Sequence, residues 1–248
     1  FINSMIDETF ASIDADKLPP TVKAQYDALK NAILGSDTAK VEALQEQLRG
    51  VEAELVDLNK EYRTAMMDYA EVYQKYQNVK NDPKASSEDK KAAKKAVETS
   101  FKNVSSLESN VKTQEAKIDG FHKKIEDVRK AAFTSNAGDI QAKLAELKQA
   151  VTDNPSPELT SLYNRMAYLV DAQDLYYSGN WKKSEYNFEM QTLLASLATE
   201  LDMASTKGCK SNNDRGQRLA QQVATNAILV DGGLYEGQFR ANEGNVKE

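Results

Sequence analysis

The chain has 248 residues, 40% hydrophobic and 28% charged, with 11 glycines, 5 prolines and a net charge of -6. That balance suits a soluble, helix-rich protein and argues against a general nucleic-acid binder. A single cysteine excludes an internal disulfide, a single histidine excludes a Cys/His zinc cluster, and no apolar run is long enough to span a bilayer. Neither a metal nor a cofactor is called for.

The chain opens on Phe1-Ile2-Asn3-Ser4, without an initiator Met or a signal-peptide pattern, and reads as a fragment of something longer. Residues 1 to 20 are mixed in character and end in Leu18-Pro19-Pro20. Pro20 suits the first turn of a helix, where its missing N–H costs nothing. That helix carries Val22, Tyr26, Leu29 and Ile33 on one face, and Gly35 is its expected C-cap.

From Ser36 the strongest periodic signal begins. Leu44, Leu48, Val51, Leu55, Leu58, Tyr62, Ala65, Tyr69, Val72, Tyr76 and Val79 alternate spacings of four and three, a heptad seam. A helix over residues 38–80 would be roughly 60 Å long at 1.5 Å per residue. Asn81-Asp82-Pro83 breaks it, because proline cannot continue the hydrogen-bond ladder. Ser86 with Asp89 three positions later reads as a capping box with Asp in place of Glu. A second seam follows: Ala93, Val97, Ser100, Val104, Leu107, Val111, Gln114, Ile118, Phe121, Ile125, Val128 and Ala132. Two seams of similar length with a short connection predict an antiparallel coiled-coil hairpin over residues 36–133. Such a hairpin is a scaffold, a binding surface for a protein partner or an arm that approaches a membrane surface. Its seam tyrosines read as packing residues, and His122 as a solvated helix residue.

Ile140, Leu144, Leu147 and Val151 predict a shorter helix within 134–153. Asn154-Pro155-Ser156-Pro157 ends it, with Ser156 as the next N-cap and Pro157 as the first helical residue. Leu159, Leu162, Met166, Leu169 and Val170 form the apolar face of that helix, which ends before Gly179. After Trp181, residues Met190, Leu193, Leu194, Leu197 and Leu201 predict a last helix running to about residue 203. No strand is expected from 1 to 204, and only 225–240 leaves room for a short one. The expected fold is therefore mainly α, with little or no sheet. It comprises a helical segment (1–35), the hairpin (36–133) and a helical domain (134–248) with a phosphate-binding loop.

That loop is Gly208-Cys209-Lys210-Ser211-Asn212-Asn213-Asp214-Arg215-Gly216. It holds the sole cysteine, with an arginine six positions later and a predicted helix starting there. Backbone N–H groups between Cys209 and Arg215 can converge on a phosphoryl group, helped by the dipole of the following helix. The same field lowers the pKa of a cysteine and makes it a thiolate. Arg215 can hold two phosphoryl oxygens in a bidentate fork. The thiolate can then attack phosphorus and form a phosphocysteine that water hydrolyses. A carboxylic acid must protonate the leaving oxygen, and Asp214 is the nearest candidate. Lys207, Lys210, Arg215 and Arg218 make this stretch basic within an acidic chain.

The run Cys-Lys-Ser-x-x-Asp-Arg resembles the Cys-Lys-Ser-Gly-Lys-Asp-Arg loop of phosphoinositide phosphatases. That loop is seen in bacterial secreted effectors of the SopB/IpgD and SidF type and, in close variants, in Sac-type lipid phosphatases. The resemblance covers about residues 160–230 and implies a cysteine-dependent phosphatase of phosphoinositides or inositol phosphates, secreted by a bacterium and acting in a host cell. It makes Cys209 the nucleophile, Arg215 the phosphate clamp and Asp214 the acid, with Lys210, Ser211, Asn212, Asn213 and Gly216 around the substrate. Three positions depart from the pattern. Asn212 replaces a glycine but tolerates positive φ better than most residues. Asn213 replaces a lysine and removes a charge. Gly216 replaces a hydroxyl residue. The alternatives are a relative that binds phosphate without turnover and a coiled-coil interaction protein whose Cys209 is a small buried residue.

Overall fold

The structure is a computed structural model, and it describes residues 2–201. Every regular element among the described residues is helical, and no strand occurs among them. Residues up to Thr38 and from Glu126 onward form one compact unit, and Ala39–Ile125 form another.

The first unit begins with α1 (Ile2–Ala11), in the stretch whose sequence read as mixed. Ile2, Met5, Ile6 and Thr9 repeat at helical spacing and are all buried. Thr9 is accommodated because its hydroxyl donates to the Met5 carbonyl at 2.6 Å. A short 3₁₀ turn (Ala15–Lys17) leads to α2 (Pro20–Leu34), with Pro20 in its first turn as expected. The expected face of α2, Val22, Tyr26, Leu29 and Ile33, is buried. Gly35 caps α2 at φ 69° and ψ -168°, a conformation closed to side chains. A Cβ there would stand 2.7 Å from the Cβ of Ala132, so the turn also needs glycine for space.

The same unit contains the end of α4 (Ser87–Ser135), then α5 (Ala137–Asp153), α6 (Pro157–Tyr177) and α7 (Ser184–Glu200). Helix α5 packs on α2 and α6, and α6 packs on α1 and α7. Ile140, Leu144, Leu147 and Val151 of α5 are all buried, as their spacing predicts. Ser156 caps α6 by accepting a hydrogen bond from the Leu159 amide at 3.2 Å, and Pro157 follows in the first turn. Burial of α6 goes beyond one face: Asn164, Asp171 and Gln173 are buried together with its apolar residues. After α6, Gly179 adopts the left-handed conformation at φ 76°.

Arg129 ties the N-terminus to this core. Its guanidinium is 4% exposed and donates to the Asn3 carbonyl at 3.0 Å, to Asn3 Oδ1 at 3.2 Å and to the Asp7 carboxylate. Asn136 Nδ2 makes a second long-range bond, to the Ala32 carbonyl at 3.0 Å.

The second unit is made by α3 (Thr38–Asn81) and most of α4, paired antiparallel. Gln114 Nε2 donates to Glu54 Oε2 at 2.6 Å, and the rings of Tyr69 and Phe101 lie 5.9 Å apart, so partners rise along one helix as they fall along the other. Buried residues mark the predicted seams: Leu48 and Ala65 on α3, Val104, Gln114 and Ile125 on α4. Most other seam positions are half-buried, as two helices alone can cover only part of each stripe. The connection folds on local bonds. Lys84 N donates to Asp82 Oδ1 at 2.8 Å, and the Ser86–Asp89 capping box is reciprocal at 3.1 Å in each direction. The Asp89 carboxyl is held below its ordinary pKa by the hydroxyl and then the amide of Ser86.

Candidate functional site

Each residue of the predicted site, Cys209, Lys210, Ser211, Asn212, Asn213, Asp214, Arg215 and Gly216, lies outside the described residues. What the structure describes is the scaffold that precedes the loop in sequence, the α6–α7 pair.

This pair is joined by a rigid corner. The Trp181 ring stacks on Tyr176 at 5.4 Å with 8° between planes, and Tyr176 packs edge-on against Tyr177. The Tyr176 hydroxyl donates to Glu126 Oε2 at 3.1 Å. Its pKa is raised by burial first and by the Glu126 charge second. Tyr177, packed on Phe133 at 5.5 Å, is pushed up to about 12, mainly by burial.

The C-terminal end of α7 is fixed by a polar group that sequence reading did not single out. Ser161 Oγ donates to Glu200 Oε2 at 2.5 Å, joining the last residue of α7 to the first turns of α6. One turn further, Arg165 donates through Nη1 to Ser12 Oγ at 3.0 Å and through Nε to the Ser161 carbonyl at 3.4 Å. Burial lowers the Arg165 pKa, and the Glu200 charge opposes that. Tyr168 is pushed up to about 12 by burial and then by Glu200, so it stays a neutral phenol at physiological pH. A signal for this group is present in sequence: Arg165 lies inside the apolar pattern of α6, where a charge needs partners. The group is an anchor. It holds the point from which the chain continues toward Cys209.

A cleft of about 660 Å³ opens where the 3₁₀ turn faces the start of α6. Ile13, Leu18 and Leu159 line it, together with Asp14, Lys17 and Arg165. Lys17 pairs with Asp14 at 2.9 Å, and each shifts the pKa of the other toward the charged form. The lining holds no cysteine or histidine, and Arg165 is already committed to Ser12 and Ser161. Among the described residues no cluster of His, Cys, Asp or Glu could hold a metal ion, and no helix is long and apolar enough to cross a membrane.

The family described as SidF, phosphoinositide phosphatase, matches residues 1–247. Two solved structures resemble the chain at a TM-score of 0.71. One, at 36% identity over 96% of this chain, is described as a novel Legionella phosphoinositide phosphatase studied for substrate recognition. The other, at 35% identity over 97% of this chain, is described as SidF, a Legionella phosphoinositide phosphatase. The chain spans 32% and 33% of their respective lengths, about a third of each. No curated protein matches it. A match over nearly the whole length, joined to one fold at about a third identity, settles the family: the chain belongs to the SidF phosphoinositide phosphatases.

Proposed function

We propose that the chain carries the reactive loop of a cysteine-dependent phosphatase that acts on phosphoinositides or inositol phosphates. The observation that carries this reading is the run Cys209-Lys210-Ser211-x-x-Asp214-Arg215 in a chain that belongs to a phosphoinositide phosphatase family. In the reaction the Cys209 thiolate attacks the phosphorus of a phosphomonoester. The S–P bond forms as the P–O bond to the inositol breaks, and Asp214 gives its proton to the departing oxygen. Water then cleaves the S–P bond, releasing inorganic phosphate and restoring the thiolate. Arg215 and the loop amides stabilise the charge that builds on the phosphoryl oxygens. Lys210 adds positive charge for a polyanionic head group, while Ser211, Asn212, Asn213 and Gly216 line the cradle. No metal or cofactor enters these steps. The relatives from Legionella support a secreted effector that works in a host cell.

A second reading, a relative that binds phosphate without turnover, is favoured by the charge lost at Asn213 and the hydroxyl lost at Gly216. Trapping separates the two. Acid quenching during turnover of phosphoinositide micelles, followed by mass spectrometry, finds a phosphorylated Cys209 peptide if the loop is active. Bound but unmodified enzyme after quenching overturns the covalent mechanism and leaves the silent binder.

A further inference from the structure

The hairpin unit carries a surface that its own packing does not explain. Met66, Tyr73 and Phe101 are exposed, Phe101 by 56%. They form one patch, because the Tyr69 ring touches Tyr73 at 6.0 Å and Phe101 at 5.9 Å. Met66, Tyr69 and Tyr73 follow one another at spacings of three and four, on one face of α3. Aromatic and methionine side chains in water at adjoining positions on two helices mark a contact surface.

The charges beside this patch say what kind. Between Tyr73 and Asn103 the sequence has eight lysines and four carboxylates, whereas between Ala39 and Val72 it has four basic and eight acidic residues. The end of the hairpin with the 82–86 turn is therefore basic in a chain whose net charge is -6. Two of the four carboxylates are occupied by the backbone of the turn, Asp82 with the Lys84 amide and Asp89 with the Ser86 amide. Of the eight lysines, Lys94 alone is ion-paired among the described residues, with Glu98 at 3.8 Å, and Lys80 lies over the Tyr76 ring at 6.0 Å. Lys80 follows Tyr73 by seven residues, and Lys94 and Lys90 precede Phe101 by seven and eleven, intervals close to whole helical turns. These lysines thus share the side of the hairpin that carries the rings, nearer the turn by about 10 Å for Lys80 and Lys94 and about 16 Å for Lys90.

We propose that this side of the hairpin docks on an anionic lipid bilayer. Tyrosine and phenylalanine settle at the boundary between head groups and acyl chains, where an apolar ring body and a polar tip are both satisfied. Lysine stems lie along that boundary while their ammonium groups reach the phosphates. Charge complementarity favours a lipid surface, because the lysines are dispersed over several turns with few acidic neighbours and match a diffuse negative surface. The surface uses none of the loop residues, so it stands whether or not Cys209 turns over.

The test is sedimentation of the full chain with vesicles, in a Cys209→Ser background that prevents turnover. Vesicles of phosphatidylcholine are compared with vesicles containing about 30% phosphatidylserine, a physiological kind of anionic charge. Phosphatidylserine has no phosphomonoester, so its capture does not report on the loop. Expected is binding that depends on phosphatidylserine and falls as salt rises. Lys90→Gln with Lys94→Gln weakens it about 30-fold, about fivefold for each lysine near an anionic surface. Tyr73→Ser with Phe101→Ser weakens it more than tenfold, as expected for withdrawing two rings from the interface. Tyr73, Phe101 and Lys94 are exposed and Lys90 is half-buried at the hairpin's end, so helicity by circular dichroism stays close to that of the parent. Equal sedimentation with both vesicles overturns the proposal, as does wild-type binding by either double variant. Loss of a dimer in the ring variant, with no vesicle binding by the parent, overturns it in favour of a contact between copies.

Discussion

Replacing Arg129 with methionine keeps most of the side-chain stem but removes the guanidinium. In the structure that group is 4% exposed and makes two bonds to Asn3 and one to the Asp7 carboxylate. The Asp7 side chain is 47% exposed, so it returns to water at little cost and contributes less than about 1 kcal/mol. The Asn3 acceptors are enclosed, and each loses a charged donor; bonds of that kind are worth about 1.5–3 kcal/mol apiece. Relief from desolvating the guanidinium offsets part of this. The net expectation is a loss of about 2–3 kcal/mol in the unit that contains α1. The only tryptophan, Trp181, sits in that unit, so its fluorescence follows the unfolding of this unit rather than of the hairpin. In urea the midpoint should fall by about 1 M, given slopes of about 1–3 kcal/mol/M. Asp7→Ala should shift it far less. A change below about 0.3 M in Arg129→Met, or an equal effect of Asp7→Ala, refutes the reasoning.

Three further perturbations follow from the same structure. Gly35→Ala should cost about 2–4 kcal/mol in a thermal melt, combining left-handed strain with a Cβ driven against Ala132; an unchanged melt contradicts the turn geometry. Ser156→Ala should remove the cap of α6 and lower stability by about 1 kcal/mol, while Ser156→Asp should restore it. Tyr26, Tyr168 and Tyr177 are each pushed up to about 12 by burial. Their folded pKa values exceed the unfolded one of about 10, so their contribution is complete below that pH and is lost as pH rises toward 12. Absorbance titration of phenolate should therefore find these tyrosines ionising only as the chain unfolds, and smooth titration near pH 10 with the fold intact would contradict their burial.

The parts of the fold that were legible in sequence are those where one local rule decides. Pro20 and Pro157 start helices because a missing N–H costs nothing there, Gly35 ends one, and Ser86 with Asp89 closes on itself within four residues. The seams of α3 and α4 were legible because a repeat sustained over many turns has no other reading. Helix α1 was not, although Ile2, Met5 and Ile6 are spaced for it. Its polar Asn3 and Thr9 obscure the stripe, and they are buried only because Arg129 and the Met5 carbonyl satisfy them. Arg129 meets Asn3 across 126 positions, and no local pattern signals such a pair. The burial of α6 on several sides was equally hidden, since a helical repeat announces one apolar face and α6 also encloses Asn164, Asp171 and Gln173. The proposed reactive loop is the reverse case. The chemistry proposed for it rests on consecutive residues, Cys209 to Arg215, and needs no fold to be read, whereas the Ser161–Glu200 and Arg165–Ser12 contacts before it are readable only from the structure.

Phosphate release tests the proposed chemistry of Cys209 most directly. The full chain is offered a panel of phosphoinositides and soluble inositol phosphates, and inorganic phosphate is measured beside Cys209→Ser and Arg215→Lys. The expected result is release by the wild-type chain, none by Cys209→Ser, and a loss of about 100-fold or more in Arg215→Lys, because an ammonium cannot form the bidentate fork. No release from any substrate by the wild-type chain, or equal release by Cys209→Ser, contradicts the assignment of Cys209 as the nucleophile.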